Sequence, residues 1–192
     1  RFVDGNVVND FRTPMQQPKV SVRLVYSGDM EDNAKNRMIV ELLSRALDSR
    51  YMISIREEKG GTYGVRVSGG TNKYPVEQYV ITIKFDTNEQ LADELIEICD
   101  KEIKRIAEEG PLVEDIAKSK EFLQKNYNNI LESNSGWLST IYNWYEEGYN
   151  YKDEYLDILA SITEDDIKAL AQRILADGNR TLVVMRPGAT TE

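Results

Sequence analysis

Alternating apolar and polar positions are the clearest pattern in the chain, and they predict β-strands. From Lys19 to Gly28 every second residue is apolar, so this stretch predicts a half-buried strand with Val20, Val22, Leu24 and Tyr26 on one face. Two more alternating stretches, TYGVRVSGGT and EQYVITIKFDT, predict an antiparallel pair joined by a short turn. The apolar run TLVVM near the C-terminus predicts a last strand, which needs a sheet already formed by the others.

Apolar residues at helical spacing separate these strands. They predict helices over 33–48, over a long segment that ends at Gly110-Pro111, and over 113–131, 135–147 and 163–178. Thr87 with Gln90 is a candidate capping box for the second helix, and Thr163 with Asp166 caps the last one. The helix over 135–147 carries an aromatic stripe, and we expect that stripe to be core because aromatic side chains dominate burial.

The order of these elements is β, α, β, β, α, further helices and β. Because the early strands and the last strand must share a sheet, the predicted fold is α+β, an antiparallel or mixed β-sheet with helices packed on one face. We expect residues 1–18 to be a lead-in segment or linker from an upstream domain, with one edge strand around Val7. Residues 19–187 are predicted to form a single α+β domain, and residues 188–192 a tail.

Composition removes several classes of function. With 33 acidic and 24 basic residues among 192, the net charge is -9, which argues against a nucleic-acid partner. No apolar run approaches the length of a membrane span, so no membrane partner is expected. Cys99 is the sole cysteine and falls in a helical apolar pattern, where a buried small side chain is the expected role. The chain begins Arg-Phe without Met, as a fragment or a processed product would.

The sequence has no histidine, which excludes further classes of enzyme. Serine–histidine hydrolases and histidine–zinc centres depend on imidazole, so a self-contained enzyme of either kind is excluded. The carboxylate pairs in the chain are neighbours in sequence and are expected to be solvated. No metal site is therefore predicted in this chain.

The stretch REEKGGTYGV, from Arg56 to Val65, is the candidate for chemistry. Its two glycines, Gly60 and Gly61, are typical of a helix C-terminus followed by a strand. A phosphate cradle is excluded by element order, because anion-binding glycine loops lead from a strand into a helix. Two interpretations of Arg56 and Tyr63 stay open. They form a functional pair, or Arg56 is a surface ion-pair residue and Tyr63 a hairpin aromatic residue.

In this context the sequence resembles the C-terminal half of the insulinase/pitrilysin family of zinc metallopeptidases, and specifically its last domain. The stretch IREEKGGTYGV is similar to a family segment in which an arginine is followed by glycine and, seven positions after the arginine, by a tyrosine. FRTPMQQPKVSV resembles the beginning of the last domain in bacterial members. The downstream EEGP, the helix pair and the final strand are similar to the family's domain plan, so the resemblance covers about 11–187.

The resemblance implies a protein of two halves that enclose a chamber. In the family, the N-terminal half holds zinc through a His-x-x-Glu-His motif and a distal glutamate. The C-terminal half supplies an arginine and a tyrosine across the chamber. Carried onto this chain, Tyr63 would stabilise the oxyanion of the scissile carbonyl, and Arg56 with Tyr63 would bind the substrate backbone.

This chain lacks the zinc motif, so the isolated chain is expected to be inactive and to need the N-terminal half, on the same polypeptide or as a partner subunit. Zinc is expected in that half, and a peptide is the expected substrate. The alternative is a noncatalytic scaffold or peptide-binding subunit of the same fold. A periplasmic or secreted location is expected from the resemblance to bacterial members.

Overall fold

The computed structural model describes residues 2–57, 62 and 64–188. Among these residues, five strands form one sheet in the order β1-β5-β2-β4-β3. The strands are β1 (Asn6–Pro14), β2 (Val20–Asp29), β3 (Val65–Asn72), β4 (Gln78–Thr87) and β5 (Arg180–Gly188). The strand over Lys19 to Gly28, the antiparallel pair and the C-terminal strand are thereby confirmed.

The sheet is mixed. β1 runs parallel to β5, whereas β5 with β2, β2 with β4, and β4 with β3 are antiparallel pairs. The predicted edge strand around Val7 is β1, and it pairs with β5 over its whole length. Residues 6–14 are therefore part of this sheet. The domain boundaries at residues 18 and 187 stay predictions.

In the part of the chain that the structure describes, six α-helices accompany the sheet: α1 (Ala34–Tyr51), α2 (Ala92–Glu109), α3 (Val113–Leu131), α4 (Asn134–Glu147), α5 (Tyr151–Ser161) and α6 (Glu164–Asp177). A six-residue π-helical segment, Met52–Glu57, continues directly from α1. The predicted cap of α6 is confirmed, because Thr163 and Asp166 bond to each other's main chain in a full capping box.

The core lies between the helices and one face of the sheet. α1 packs on β3, and α2 and α6 pack on β2, around the fully buried side chains of Leu24, Leu43, Tyr79, Ile83 and Ile103. The apolar face predicted for β2 is the buried one, because Val20, Val22, Leu24 and Tyr26 all belong to this core. The α+β class with helices on one face is confirmed.

The predicted capping box of α2 is wrong. Thr87 is the last residue of β4 and is buried, so its hydroxyl is not at a helix end. The residue that precedes the helix is Leu91, which offers no side-chain cap; in the turn before it, Asn88 Oδ1 accepts a hydrogen bond from the N–H of Leu91 at 2.9 Å. The helix α5 was not predicted from the sequence.

The interpretation of the aromatic stripe on α4 as core is also wrong. The helix turns Thr140, which is buried, and the half-buried Gly136 and Asn143 toward the protein. Its large apolar side chains face solvent, with Leu138 71% and Tyr145 88% exposed. The inward face is closely packed at its first turn, since a Cβ at Gly136 would lie 2.0 Å from the main-chain oxygen of Ile130 at the end of α3. No side chain fits at position 136 without a shift of the main chain.

Candidate functional site

Arg56 lies in the π-helical segment Met52–Glu57, directly before the stretch that carries Tyr63. The side chain of Arg56, Tyr63 as a whole, and the glycines Gly60 and Gly61 lie outside the described residues. The structure thus defines the elements on both sides of the pair, and the roles of Arg56 and Tyr63 stay predictions. π-Helical turns are rare and are frequent at functional sites, which makes this segment a reasonable place for such a residue.

Buried side chains anchor the backbone that leads into Arg56. Ile55 is fully buried, one residue before it, and Tyr51 is fully buried at the end of α1. The Tyr51 hydroxyl donates to the main-chain oxygen of Cys99 on α2 at 2.9 Å. The Ser54 hydroxyl donates to the main-chain oxygen of Arg50 at 3.0 Å. The Tyr51 bond ties the end of α1 to α2, and the Ser54 bond ties the π-helical segment to the last turn of α1, so the backbone that leads into Arg56 has a defined position.

The strand that follows Tyr63 is anchored to the same helix. The main-chain N–H of Val67 on β3 donates to Oδ1 of Asp48 on α1 at 3.0 Å. At Gly69 the two elements approach so closely that a Cβ would lie 2.1 Å from the Ser44 hydroxyl. Both ends of the stretch that carries Arg56 and Tyr63 are therefore tied to α1.

A groove of about 620 Å³ is lined by residues that are adjacent to Tyr63 in the sequence. Thr62 and Gly64, the residues on either side of Tyr63, both line it. They are linked to each other, since the Gly64 N–H donates to the Thr62 hydroxyl at 3.2 Å. The groove crosses the face of the sheet that carries no core helix, from Phe11 on β1 to Arg66 on β3.

Three exposed cations stand in one row across this face. Lys84 on β4 lies directly opposite Arg23 on β2 and, on its other side, directly opposite Arg66 on β3. All three line the groove. Sequence reasoning missed them: each is simply the polar residue between two apolar ones in its strand. The strand alternation could have placed each on the open face, but only the strand register brings them together.

The neighbouring row of the groove holds a carboxylate, Asp86, whose charge is already paired with a cation. Asp86 accepts from Lys19 Nζ at 2.7 Å and from the Ser21 hydroxyl at 2.6 Å. Burial alone would raise the pKa of Asp86, but the hydrogen bonds from Lys19 and Ser21 prevail and lower it. Asp86 therefore stays ionised and engaged at neutral pH.

Metal binding and thiol chemistry have no support in the described part of the chain. No group of three or more His, Cys, Asp or Glu side chains among these residues could hold a metal ion, and the sequence has no histidine. Cys99 is buried, as predicted, and burial together with the charge of Asp100 raises the pKa of its thiol. Within the described ranges, no helix is both long and apolar enough to cross a membrane.

Comparisons with known proteins agree with this architecture. A sequence profile of the family described as "Peptidase M16 inactive domain" matches residues 4–123. A relative from Arabidopsis thaliana, described as "Zinc protease PQQL-like", is 26% identical over 142 residues, which are 70% of this chain and 15% of the relative.

Solved structures share the fold. The periplasmic protease PqqL from Escherichia coli matches with a TM-score of 0.80 and 17% identity, over 96% of this chain and 21% of that one. A peptidase M16 inactive domain from Pseudomonas fluorescens matches with a TM-score of 0.77 and 17% identity, over 98% of this chain and 45% of that one. The chain spans less than half the length of each of these relatives.

Proposed function

The chain belongs to the peptidase M16 inactive-domain family, and on that premise we propose that it is the C-terminal, substrate-binding domain of a zinc-dependent metalloendopeptidase. Zinc would be held by the N-terminal half, outside this chain, in keeping with the plant relative described as a zinc protease. The partner of this domain is therefore that catalytic half, on the same polypeptide or as a second subunit, and the substrate is a peptide.

Arg56 and Tyr63 are the residues through which this domain would act. The Tyr63 hydroxyl donates to the scissile carbonyl oxygen as negative charge develops on it, and Arg56 donates to a neighbouring main-chain carbonyl of the substrate. A donor aimed at a developing oxyanion in a site shielded from water contributes about 2.7–4 kcal/mol to the transition state. Neither residue needs to ligate a metal for these roles.

The observation that carries the proposal is the anchoring around this pair. Ile55 is buried immediately before Arg56, and Thr62 and Gly64 line an open groove on both sides of Tyr63 in the sequence. A preorganised donor requires a backbone fixed by its surroundings. The contacts of Tyr51 with α2 and of Val67 with Asp48 supply that support on both sides.

We also place the protein in the periplasm or outside the cell, by analogy with the E. coli protease, which is described as periplasmic. Fractionation of the source cells with an antibody against this domain tests the location. Recovery in the cytoplasmic fraction would contradict it.

The test of the catalytic role is Tyr63→Phe in the complete protein, assayed with a fluorogenic peptide that it cleaves. Loss of the oxyanion donor is expected to lower kcat about 10²–10³-fold while KM changes little. Arg56→Gln is expected to raise KM as well. Tyr74→Phe is the matched control, because Tyr74 is 73% exposed between β3 and β4. The kcat and KM of this variant should equal those of the parent.

Two results would contradict the proposal. Unchanged turnover in Tyr63→Phe would remove the oxyanion role. A complete protein that binds peptides but cleaves none, with zinc supplied, would instead support the noncatalytic scaffold.

A further inference from the structure

We propose that the row Arg23–Lys84–Arg66 is a binding surface for acidic residues of an extended polypeptide, and that the substrates of the proposed peptidase are selected for acidic side chains by this row. The second part of this proposal, the selection of substrates, rests on the proposed function. Its first part, binding, stands on the geometry of the open sheet face.

The row is unusual because it costs stability. Residues directly opposite each other on antiparallel strands have Cβ atoms about 4.5–5.5 Å apart, and like charges in such positions are destabilising. Lys84 faces an arginine on both sides. Within the described residues no carboxylate is bonded to Arg23, Arg66 or Lys84. A local arrangement that opposes folding without a compensating contact is expected at a functional surface.

The other arginines with described side chains behave differently. Each of them lies within 4.0 Å of a carboxylate: Arg12, Arg37, Arg45, Arg50, Arg105, Arg173, Arg180 and Arg186. With a net charge of -9, the chain has acidic residues in excess. Cations that are gathered on one face of an acidic protein, with no carboxylate partner in the described part of the chain, therefore mark a place where negative charge from another molecule is accommodated.

The shape of the groove favours an extended peptide. Neighbouring strands lie about 4.8 Å apart, so the row spans about 10 Å from β2 to β3. In an extended peptide the side chains on one face repeat about every 7 Å, which lets carboxylates at alternate positions reach different members of the row. Beyond the cations the groove is lined by Phe11, Val183 and Met185, a surface suited to an apolar residue of the same peptide.

The position of the groove connects it with the proposed reaction site. Thr62 and Gly64 flank Tyr63 in the sequence and line the same groove as the cations. A peptide held at Tyr63 could therefore continue across the open face of the sheet. Nucleic acid is the less suitable polyanion, because binding a phosphate backbone depends on many phosphate contacts and this row offers three cations.

The binding test uses the full-length protein and two fluorescein-labelled eight-residue peptides, measured by fluorescence anisotropy. One peptide has glutamate at alternate positions, and the other has glutamine there. The glutamate peptide is expected to bind more tightly, with the difference lost as salt rises to 1 M. Replacing each cation by glutamine should weaken its binding about twofold to fivefold, and replacing all three about tenfold to a hundredfold.

Lys125→Gln is the matched control, since Lys125 is an exposed lysine on α3, on the helical side of the molecule. The three cations are exposed, and their removal relieves repulsion, so the triple variant is expected to fold with equal or higher Tm. Equal affinity for the two peptides, or an unchanged affinity in the triple variant, would overturn the proposal. So would tighter binding of an eight-nucleotide single-stranded RNA through the same three residues.

A second measurement separates this inference from the proposed function. The full-length protein is assayed with two fluorogenic substrates that differ only in glutamate or glutamine at these alternate positions. The triple variant should lower kcat/KM for the glutamate substrate alone. If Tyr63→Phe leaves both rates unchanged but the binding difference persists, the proposed function fails and the binding surface stands. If both rates depend on Tyr63 and the substrate ratio is unchanged in the triple variant, the selection of acidic substrates fails.

Discussion

Asp48 on α1 accepts a hydrogen bond from the main-chain N–H of Val67 on β3 at 3.0 Å. This bond ties the helix that leads into Arg56 to the strand that follows Tyr63. It also satisfies a main-chain donor of β3, which lies at one edge of the sheet beside β4. One side chain thus fixes the spacing of the two elements on which the candidate site depends.

Removal of this carboxylate is the first prediction. Asp48→Ala should lower the free energy of unfolding by about 1–3 kcal/mol, because the N–H of Val67 loses a charged acceptor. Amide exchange at Val67 should accelerate, as measured by hydrogen exchange and NMR. Glu121→Ala, on the exposed side of α3, is the control and should change neither quantity. Unchanged protection at Val67 would show that the bond is not formed in solution.

A second prediction concerns the approach of β3 to α1. In Gly69→Ala the added Cβ would lie 2.1 Å from the Ser44 hydroxyl and 3.0 Å from a methyl group of Val40, so we expect a loss of about 1–3 kcal/mol in urea unfolding. Combining Ser44→Ala with Gly69→Ala should recover part of the lost stability, because one of the two clashes is removed. Gly70→Ala is the control, since nothing lies within 4 Å of its Cβ position. Equal stability of the Gly69 and Gly70 variants would refute the close approach.

A third prediction tests the orientation of α4. Leu138→Ser and Tyr145→Ser should each change the free energy of unfolding by less than about 0.5 kcal/mol, because both side chains are largely exposed. Gly136→Ala should instead destabilise the protein by about 1–3 kcal/mol, since its Cβ would meet the main-chain oxygen of Ile130 at 2.0 Å. The reverse order of effects, measured by denaturant unfolding, would mean that the aromatic stripe is core.

The fourth prediction is a pH dependence. The side chain of Asp32 is 6% exposed and accepts hydrogen bonds from Arg37 Nε at 2.8 Å and Nη2 at 2.6 Å. The hydrogen bonds from Arg37, followed by that from Thr71, lower the pKa of Asp32 despite its burial. The ionised carboxylate therefore stabilises the fold above its unfolded pKa of about 3.9, and this contribution is lost as the pH falls through the lower folded pKa.

Asp32→Asn should accordingly lower the free energy of unfolding by about 1–3 kcal/mol at pH 7. The difference from the parent should shrink as the pH falls below about 4. The exposed Asp157 on α5 supplies the control variant Asp157→Asn, which should follow the parent at every pH. A difference that is constant between pH 7 and pH 3 would contradict the assignment.

The sequence by itself determined the elements whose physics is local. Alternation placed β2, β3 and β4, because side chains on a strand must divide between a buried and an open face, and the apolar run TLVVM placed β5. Thr163 and Gly178 delimited α6, because a helix N-terminus needs a side-chain acceptor for its free N–H groups and a C-terminus favours a residue in the left-handed conformation. It also identified the stretch from Arg56 to Tyr63 as the candidate for chemistry.

Only the tertiary structure decided how faces and strands meet. The apolar stripe of α4 suggested core, but the helix turns Gly136 and Thr140 toward the protein and presents its aromatic face to solvent. Arg23, Lys84 and Arg66 come from three strands that are distant in sequence, and their alignment follows from the registers of β2 with β4 and of β4 with β3. Register depends on pairing between remote segments, which no local pattern specifies.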